Sequence, residues 1–565
     1  MNRRNFIKTG ASGAVLSSLP SLIVLGCKKT ETPEQEKTEE MSADLVIAGG
    51  GLGGCAAALG ALRNGLTVIM TEETDWTGGQ LTQQLVPPDE HQWIETQGAT
   101  ALYREFRNKI RDHYRSRYPL TDAARARQYL NPGDGDVSRL CHEPKAALAV
   151  LNEMFQPYIA AGKLTVLTEH KAVAADTDKH TVRALTVKRL RSGDRLTLAA
   201  PYFVDATELG DLLPMTGTEY VTGAESKAET RELHAADVAD PLNLQAFTLC
   251  FALSYDKNAD HTISRPVEYD FWRNYVPPMT PPWSGRLLDL TYSNPSTHEP
   301  RTLGFHPDGG STGSALNLWT YRRIINKNNF LPGAYSSDLT VVNWPQNDYL
   351  LGNLDGSEED FARHRARAGQ LNLSLLYWLQ TEAPRPDGGQ GWRGLQLRPD
   401  VTGTADGMAK YPYVREARRI RAIFTVLEEH VGKENRLLTS GKNTAAEFAD
   451  SVGVGYYHID LHPSTRGNNY VDFESLRYQI PLGALIPQRM ENLLPACKNI
   501  GVTHITNGCY RLHPTEWNIG ETVGALIAFA LQKKATPRAI RETKGLLTDF
   551  QQLIRSQGVE TQWMI

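Results

Sequence analysis

The chain has 565 residues, of which 41% are apolar, 8% aromatic and 22% charged. This composition excludes disordered and fibrous classes and leaves room for two or more structural units. Sixty Lys plus Arg against 64 Asp plus Glu give a net charge of −4, so no broad positive field attracts a polyanion and nucleic acid is not an expected partner. Six cysteines are too few for a disulfide-built scaffold, so stability must come from apolar burial.

The first 27 residues have the layout of an export signal: Arg3, Arg4 and Lys8, an apolar stretch from Ala14 to Leu25, then Gly26-Cys27. The apolar run is interrupted by Pro20 and falls short of the roughly 20 residues that span a bilayer. Arg3-Arg4-Asn5-Phe6 resembles a twin-arginine signal, and Val24-Leu25-Gly26-Cys27 resembles a bacterial lipobox. The expectation is an exported bacterial protein, periplasmic or tethered to the membrane only through lipidated Cys27, with plain cleavage and release as the alternative. Residues 28–42, which alternate charge with Thr, Pro and Gln, read as a flexible tether.

Asp44 to Ala48 predicts a strand, Gly49 to Gly54 a glycine turn, and the Ala-rich run from Cys55 to Asn64 a helix. Gly49-x-Gly51-x-x-Gly54 supplies a tight turn, a close approach for a pyrophosphate, and room for helix to pack on strand. A second strand, Leu66 to Met70, is followed by Glu72, 18 residues after Gly54, about where an acid accepts hydrogen bonds from an adenosine ribose. A bound adenine dinucleotide follows; the alternatives are a turn without ligand and a solvated acid. Leu185 and Val187, then Leu196 and Leu198, alternate with polar or small neighbours around Ser192-Gly193-Asp194, which predicts a β-hairpin.

Asp75-Trp76-Thr77-Gly78-Gly79-Gln80-Leu81-Thr82 resembles the FAD-dependent oxidoreductase family, within the two-dinucleotide-binding-domain flavoproteins. The same resemblance runs through Ser138 to Pro144, Phe203 to Leu212, Tyr478 to Pro481, Asn492 to Gly501, Arg511 to Thr515 and Gly520. Glu208 and Leu209 depart from it, standing where Gly-Asp is usual. The fold so implied is α/β: a Rossmann-like FAD-binding domain over 43–217, carrying the hairpin, completed by 441–535. A large α+β substrate cap is inserted at 218–440 and a C-terminal helix spans 536–565. FAD is the implied cofactor, held by Gly49, Gly51, Gly54, Glu72, Gly79 and Gln80. Val173 lies with its backbone against the adenine, Asp205 closes a turn beside the cofactor, and Asn518, Ile519 and Gly520 offer backbone N–H groups to the flavin. No second glycine fingerprint follows, so electrons come from the substrate or from an unidentified partner.

The proline- and tryptophan-rich middle, including Asn343 to Tyr349, suits stacking on a small organic or carbohydrate substrate, or simply the packing of an irregular domain. Tyr411 to Ile420 resembles a family segment leading into a long helix. Within it Arg415 is a candidate for holding an anionic group or the flavin edge, or for a helical ion pair. His513, Glu516 and His462 are the acid/base candidates, since alcohol oxidation needs a base of near-neutral pKa beside the departing proton. Neither the cysteines nor His458 with His462 predict a metal site. The expected activity is hydride transfer between substrate and FAD. The rival readings are a carbohydrate-active lyase-type enzyme that uses or merely retains flavin, and a lipoprotein that only binds ligand.

Overall fold

The computed structural model describes residues 39–564; the expectations for the export signal, Cys27 and the tether up to residue 38 lie outside them. Four short apolar runs built largely of Val, Ile, Leu and Phe form the parallel strands β2 (Leu45–Ala48), β3 (Val68–Glu72), β4 (Leu164–Thr168) and β8 (Tyr202–Asp205). A fifth strand, β9 (Leu493–Pro495), arrives from far along the chain and completes the sheet in the order β9-β8-β2-β3-β4. Leu45, Val46 and Ile47 are fully buried, as expected where both faces of a parallel sheet are covered.

Helix α1 (Leu52–Arg63) follows β2 directly and packs against the long C-terminal helix α2 (His513–Lys533). Small residues let the backbones meet. A Cβ added at Gly520 would lie 2.0 Å from Gly53 O, and one at Gly524 2.1 Å from Ala57 O. The crossing also fixes the start of α2 beside the start of α1, where the glycine turn lies.

The hairpin is present as β6 (Thr181–Arg189) and β7 (Arg195–Ala199), in a second sheet with β5 (His170–Asp178) and β1 (Glu39–Ser42), in the order β1-β7-β6-β5. Its remaining strand corrects the tether. Glu39–Ser42 form β1, which pairs in parallel with Leu196–Ala199; an exposed strand edge recruits even a polar segment because pairing satisfies its backbone.

The middle region contains an antiparallel sheet of the strands Arg323–Ile325, Leu339–Val342, Phe251–Tyr255 and Leu395–Leu397, beside the helix Glu358–Thr381. It does not separate from the rest: all residues from Glu39 on pack as one compact unit. Tyr220–Val221 pairs with Arg419–Ile420. The C-terminal segment holds two helices, Pro537–Glu542 and Lys544–Ser556, rather than one.

Candidate functional site

The chain leaves β2 into Gly49, whose φ of +98° is left-handed backbone that favours glycine. Gly50 N–H donates to Glu72 Oε2 at 3.1 Å, and Glu72 Oε1 accepts from Thr74 N–H at 2.8 Å and from Thr74 Oγ1 at 2.9 Å. Burial pushes the Glu72 carboxyl up to about 8. Gly51 stands at the N-cap of α1. Gly54 lies in the first turn, where a Cβ would sit 2.1 Å from Gly49 O. Among the described residues neither Gly51 N–H nor Leu52 N–H meets an acceptor.

A groove beside this turn is lined by Gly49, Gly51, Glu72, Lys171, Ala172 and Glu208 among others. Val173 is not part of its lining. Lys171 and Ala172 supply the lining from β5, next to a β-bulge between Ala172 and Ala174.

Asp205, at the end of β8, is fully buried and holds its own turn. Its carboxylate accepts from Thr207 N–H at 3.0 Å, Thr207 Oγ1 at 2.7 Å and Leu212 N–H at 3.1 Å, while burial raises it to about 7. Glu208, which departs from the family pattern, is buried beside the glycine turn and pairs with the buried Lys498.

Gly79 packs against the same turn: a Cβ there would lie 2.7 Å from Leu52 N. Gln80 donates through Nε2 to Arg511 O at 3.1 Å and to Glu516 Oε2. Glu516 Oε1 accepts from Gly53 N–H at 3.0 Å. Burial raises the Glu516 carboxyl, opposed by Lys498. Glu516 therefore ties the start of α2 to the start of α1, and both its oxygens are engaged. His513 is also fully buried; its Nδ1 accepts from Asp89 N–H at 3.0 Å, which assigns the ring proton to Nε2, and Nε2 has no partner. Burial pushes this imidazole down to about 4. Both expectations are corrected here: His513 is a neutral donor and Glu516 a clamp.

Asn518, Ile519 and Gly520 are corrected as well. Because α2 begins at His513, with Glu516 N–H already bonded to Leu512 O at 2.8 Å, those three lie in its second turn. Their N–H groups belong to the helical ladder. Asn518 Nδ2 donates to Val452 O at 3.2 Å, and Gly520 is a contact with α1. The open N–H groups are one turn earlier, at His513 and Thr515.

The residues present fit FAD. Buried polar atoms without a protein partner occur at Thr77 Oγ1, Gln80 Oε1, both amide atoms of Gln84, Glu208 Oε1 and His513 Nε2, on segments that surround the glycine turn and the start of α2. Both donors and acceptors are left unpaired, and a cofactor with a pyrophosphate, hydroxyls and an amide-like ring edge would satisfy both.

A separate cavity of about 220 Å³ brings together Arg415 and His462 with Asp89, Arg322, Tyr413, Tyr457, His458, Asp460, Tyr470 and Arg511. Its wall is continuous with the segments just described, since Arg511 O accepts from Gln80 and Asp89 N–H donates to His513. His462 Nδ1 lies 2.6 Å from Asp348 Oδ2, and its Nε2 3.8 Å from Asp460 Oδ2. Arg415 is 2% exposed, lies 3.1 Å from Asp348 Oδ1 and donates to Ala246 O at 2.8 Å. Burial alone would raise Asp348, but Arg415 and His462 hold it below the usual carboxylate range. Burial likewise acts against the ionised Asp460, and His462 and Arg511 outweigh it.

Arg415 lies on irregular chain before the two-residue strand Arg419–Ile420. Its ion pair is with a distant aspartate, which corrects both the expected helix and the helical ion pair. His462 follows the strand Ile459–Leu461, on which residues two apart share a face, so His458, Asp460 and His462 line one side of the cavity. Asp348 had a sequence signal in its aromatic- and amide-rich segment. Asp89, Arg322 and Asp460 carried none, because their neighbours come from remote parts of the chain.

L-proline dehydrogenase from P. horikoshii aligns with 34% of this chain and 25% of its own at 16% identity, with a TM-score of 0.17. For OxyS anhydrotetracycline hydroxylase from Streptomyces rimosus the shares are 91% and 66%, at 10% identity and a TM-score of 0.30. For the FAD-complexed glycerol-3-phosphate dehydrogenase from Bacillus halodurans they are 40% and 41%, at 14% identity and 0.22. The chain thus spans a quarter to two-thirds of the length of these structures. No curated protein matches it. The model of the FAD dependent oxidoreductase family matches residues 44–554, and the chain belongs to that family as an enzyme with FAD as its cofactor.

Proposed function

We propose that the protein dehydrogenates a small hydroxyl-bearing substrate, a sugar or polyol, bound in the 220 Å³ cavity, with His462 as the base. The observation that carries this reading is the 2.6 Å contact between Asp348, buried behind the wall, and Nδ1 of His462, which lines a cavity of mixed aromatic and charged residues. Asp348 accepts the Nδ1 proton, which leaves Nε2 as the basic atom and fixes the ring's orientation. Arg415 holds Asp348 ionised from the other side. Tyr292, Tyr413 and Tyr470 in the lining suit stacking on a sugar ring. The cavity is smaller than the roughly 300 to 1,000 Å³ of drug-sized sites, which favours a monosaccharide-sized substrate.

Bound FAD supplies the hydride acceptor. Gly51 and Leu52 N–H at the start of α1 would hold its pyrophosphate, Glu72 its ribose hydroxyls, and the open first turn of α2 the pyrimidine edge. Twin-arginine export fits this reading, because that route carries folded, cofactor-loaded protein; cell fractionation with and without Arg3→Lys and Arg4→Lys tests it.

The central test is anaerobic addition of a panel of sugars and polyols to the FAD-loaded protein, followed at the long-wavelength flavin band. Bleaching by a member of the panel, slowed in His462→Gln, is the expected result. A flavin that stays oxidised with every member would count against dehydrogenation.

A further inference from the structure

We infer that the substrate of this cavity carries an oxyanion, a carboxylate or sulfate, beside its hydroxyl groups; the inference rests on the cavity being the substrate site. Four arginines line the cavity: Arg301, Arg322, Arg415 and Arg511. Three have a carboxylate partner. Arg322 lies 3.2 Å from Asp89, Arg511 3.1 Å from Asp460, and Arg415 3.1 Å from Asp348, a residue it shares with His462. Arg301 has none within 4 Å among the described residues, only Tyr292 OH at 3.5 Å, and it is exposed. The remaining aspartate of the lining, Asp472, is taken by His458 Nδ1 at 3.0 Å. Burial works against the charged imidazole of His458, but Asp472 and Asp460 outweigh it and raise its pKa. The charge of the lining is therefore tipped positive, with one guanidinium uncommitted.

Hydrogen-bond valence points the same way. Among the described residues, Arg322 Nε and Nη1, Arg415 Nε, Arg511 Nε, Asn343 Nδ2 and Trp344 Nε1 are buried side-chain donors of the cavity wall without an acceptor, whereas the one side-chain acceptor there without a hydrogen bond, Asp89 Oδ1, lies 3.2 Å from Arg322; the unpaired Tyr470 hydroxyl can serve either way. A neutral sugar hydroxyl brings a donor for every oxygen it offers. A carboxylate or sulfate brings acceptors alone, and guanidinium groups pair with it more strongly than with a neutral oxygen.

The test measures binding of D-glucuronate, D-glucose 6-sulfate and D-glucose to the FAD-loaded protein by calorimetry, with flavin absorbance followed in the same samples. At least one oxyanion sugar should bind about tenfold or more tighter than D-glucose, with affinity falling as salt rises. The arm that binds separates carboxylate from sulfate. Arg301→Gln, at an exposed position that folding should tolerate, should reduce the ratio of oxyanion to neutral affinity by about tenfold. Equal or tighter binding of D-glucose, or binding of neither oxyanion sugar, overturns the inference. Bleaching by D-glucose without oxyanion binding would overturn it and leave dehydrogenation standing. Tight oxyanion binding to a protein whose flavin no sugar bleaches would do the reverse.

Discussion

His462 and Asp348 stand 114 residues apart in the chain and 2.6 Å apart in the fold, and the second oxygen of the same carboxylate lies 3.1 Å from Arg415. One buried aspartate therefore orients the imidazole and is itself kept ionised by a guanidinium. Asp348→Asn would remove the charge while leaving a side chain of the same size, and His462→Gln would remove the base. Both variants should slow flavin bleaching by about 10²- to 10⁴-fold with FAD content unchanged, a comparison that rapid-mixing absorbance makes directly. An unchanged rate in His462→Gln would remove this histidine from the reaction.

Gly51→Asp puts a carboxylate where the pyrophosphate is expected. Gly51 has ordinary backbone, and the nearest atom to an added Cβ is Glu208 Oε1 at 2.9 Å, the end of a flexible side chain. The variant should fold and lack flavin. Purified Gly51→Asp with full flavin content would contradict the assignment of the glycine turn.

Gly520→Ala tests the contact between α1 and α2. The new methyl group would lie 2.0 Å from Gly53 O, a backbone atom that cannot swing aside. Overpacking of this kind costs about 1 to 3 kcal/mol or more, so Tm should fall clearly. Gly545→Ala, where nothing lies within 4 Å, should leave it nearly unchanged.

The buried neutral His513 makes a signed pH prediction. Its folded pKa, pushed down to about 4, lies below the ordinary 6.5. Stability present above pH 6.5 is therefore lost as pH falls from 6.5 toward 4, because the unfolded chain takes up the proton first. For a shift of this size the loss is about 3 kcal/mol. His142 is shifted in the same direction for the same reason. Denaturant titrations across this range should show a shallower loss in His513→Gln, whose amide oxygen can still accept from Asp89 N–H.

The order β-strand, glycine turn, helix, strand and acid was legible in residues 44 to 72 because each element there is specified by neighbours in sequence: short β-rich apolar runs, missing side chains and spacing. The hairpin around Gly193 was legible for the same reason, as was the family itself, from motifs spread along the chain. Where a residue's partner is remote, local pattern could not decide. The flavin-facing N–H groups were assigned a turn too late, to Asn518, Ile519 and Gly520, because local sequence does not mark which N–H groups at the start of α2 are left free. Glu516 and His513 look like acid/base residues in sequence, and only packing showed one engaged by Gly53 and Gln80 and the other buried as a neutral donor. Arg415 and His462 were visible as single residues. Their joining through Asp348, in one cavity with Arg511 and Asp89, was decided by tertiary structure alone, since a buried charge is held in place by whichever partner the fold brings within hydrogen-bond reach.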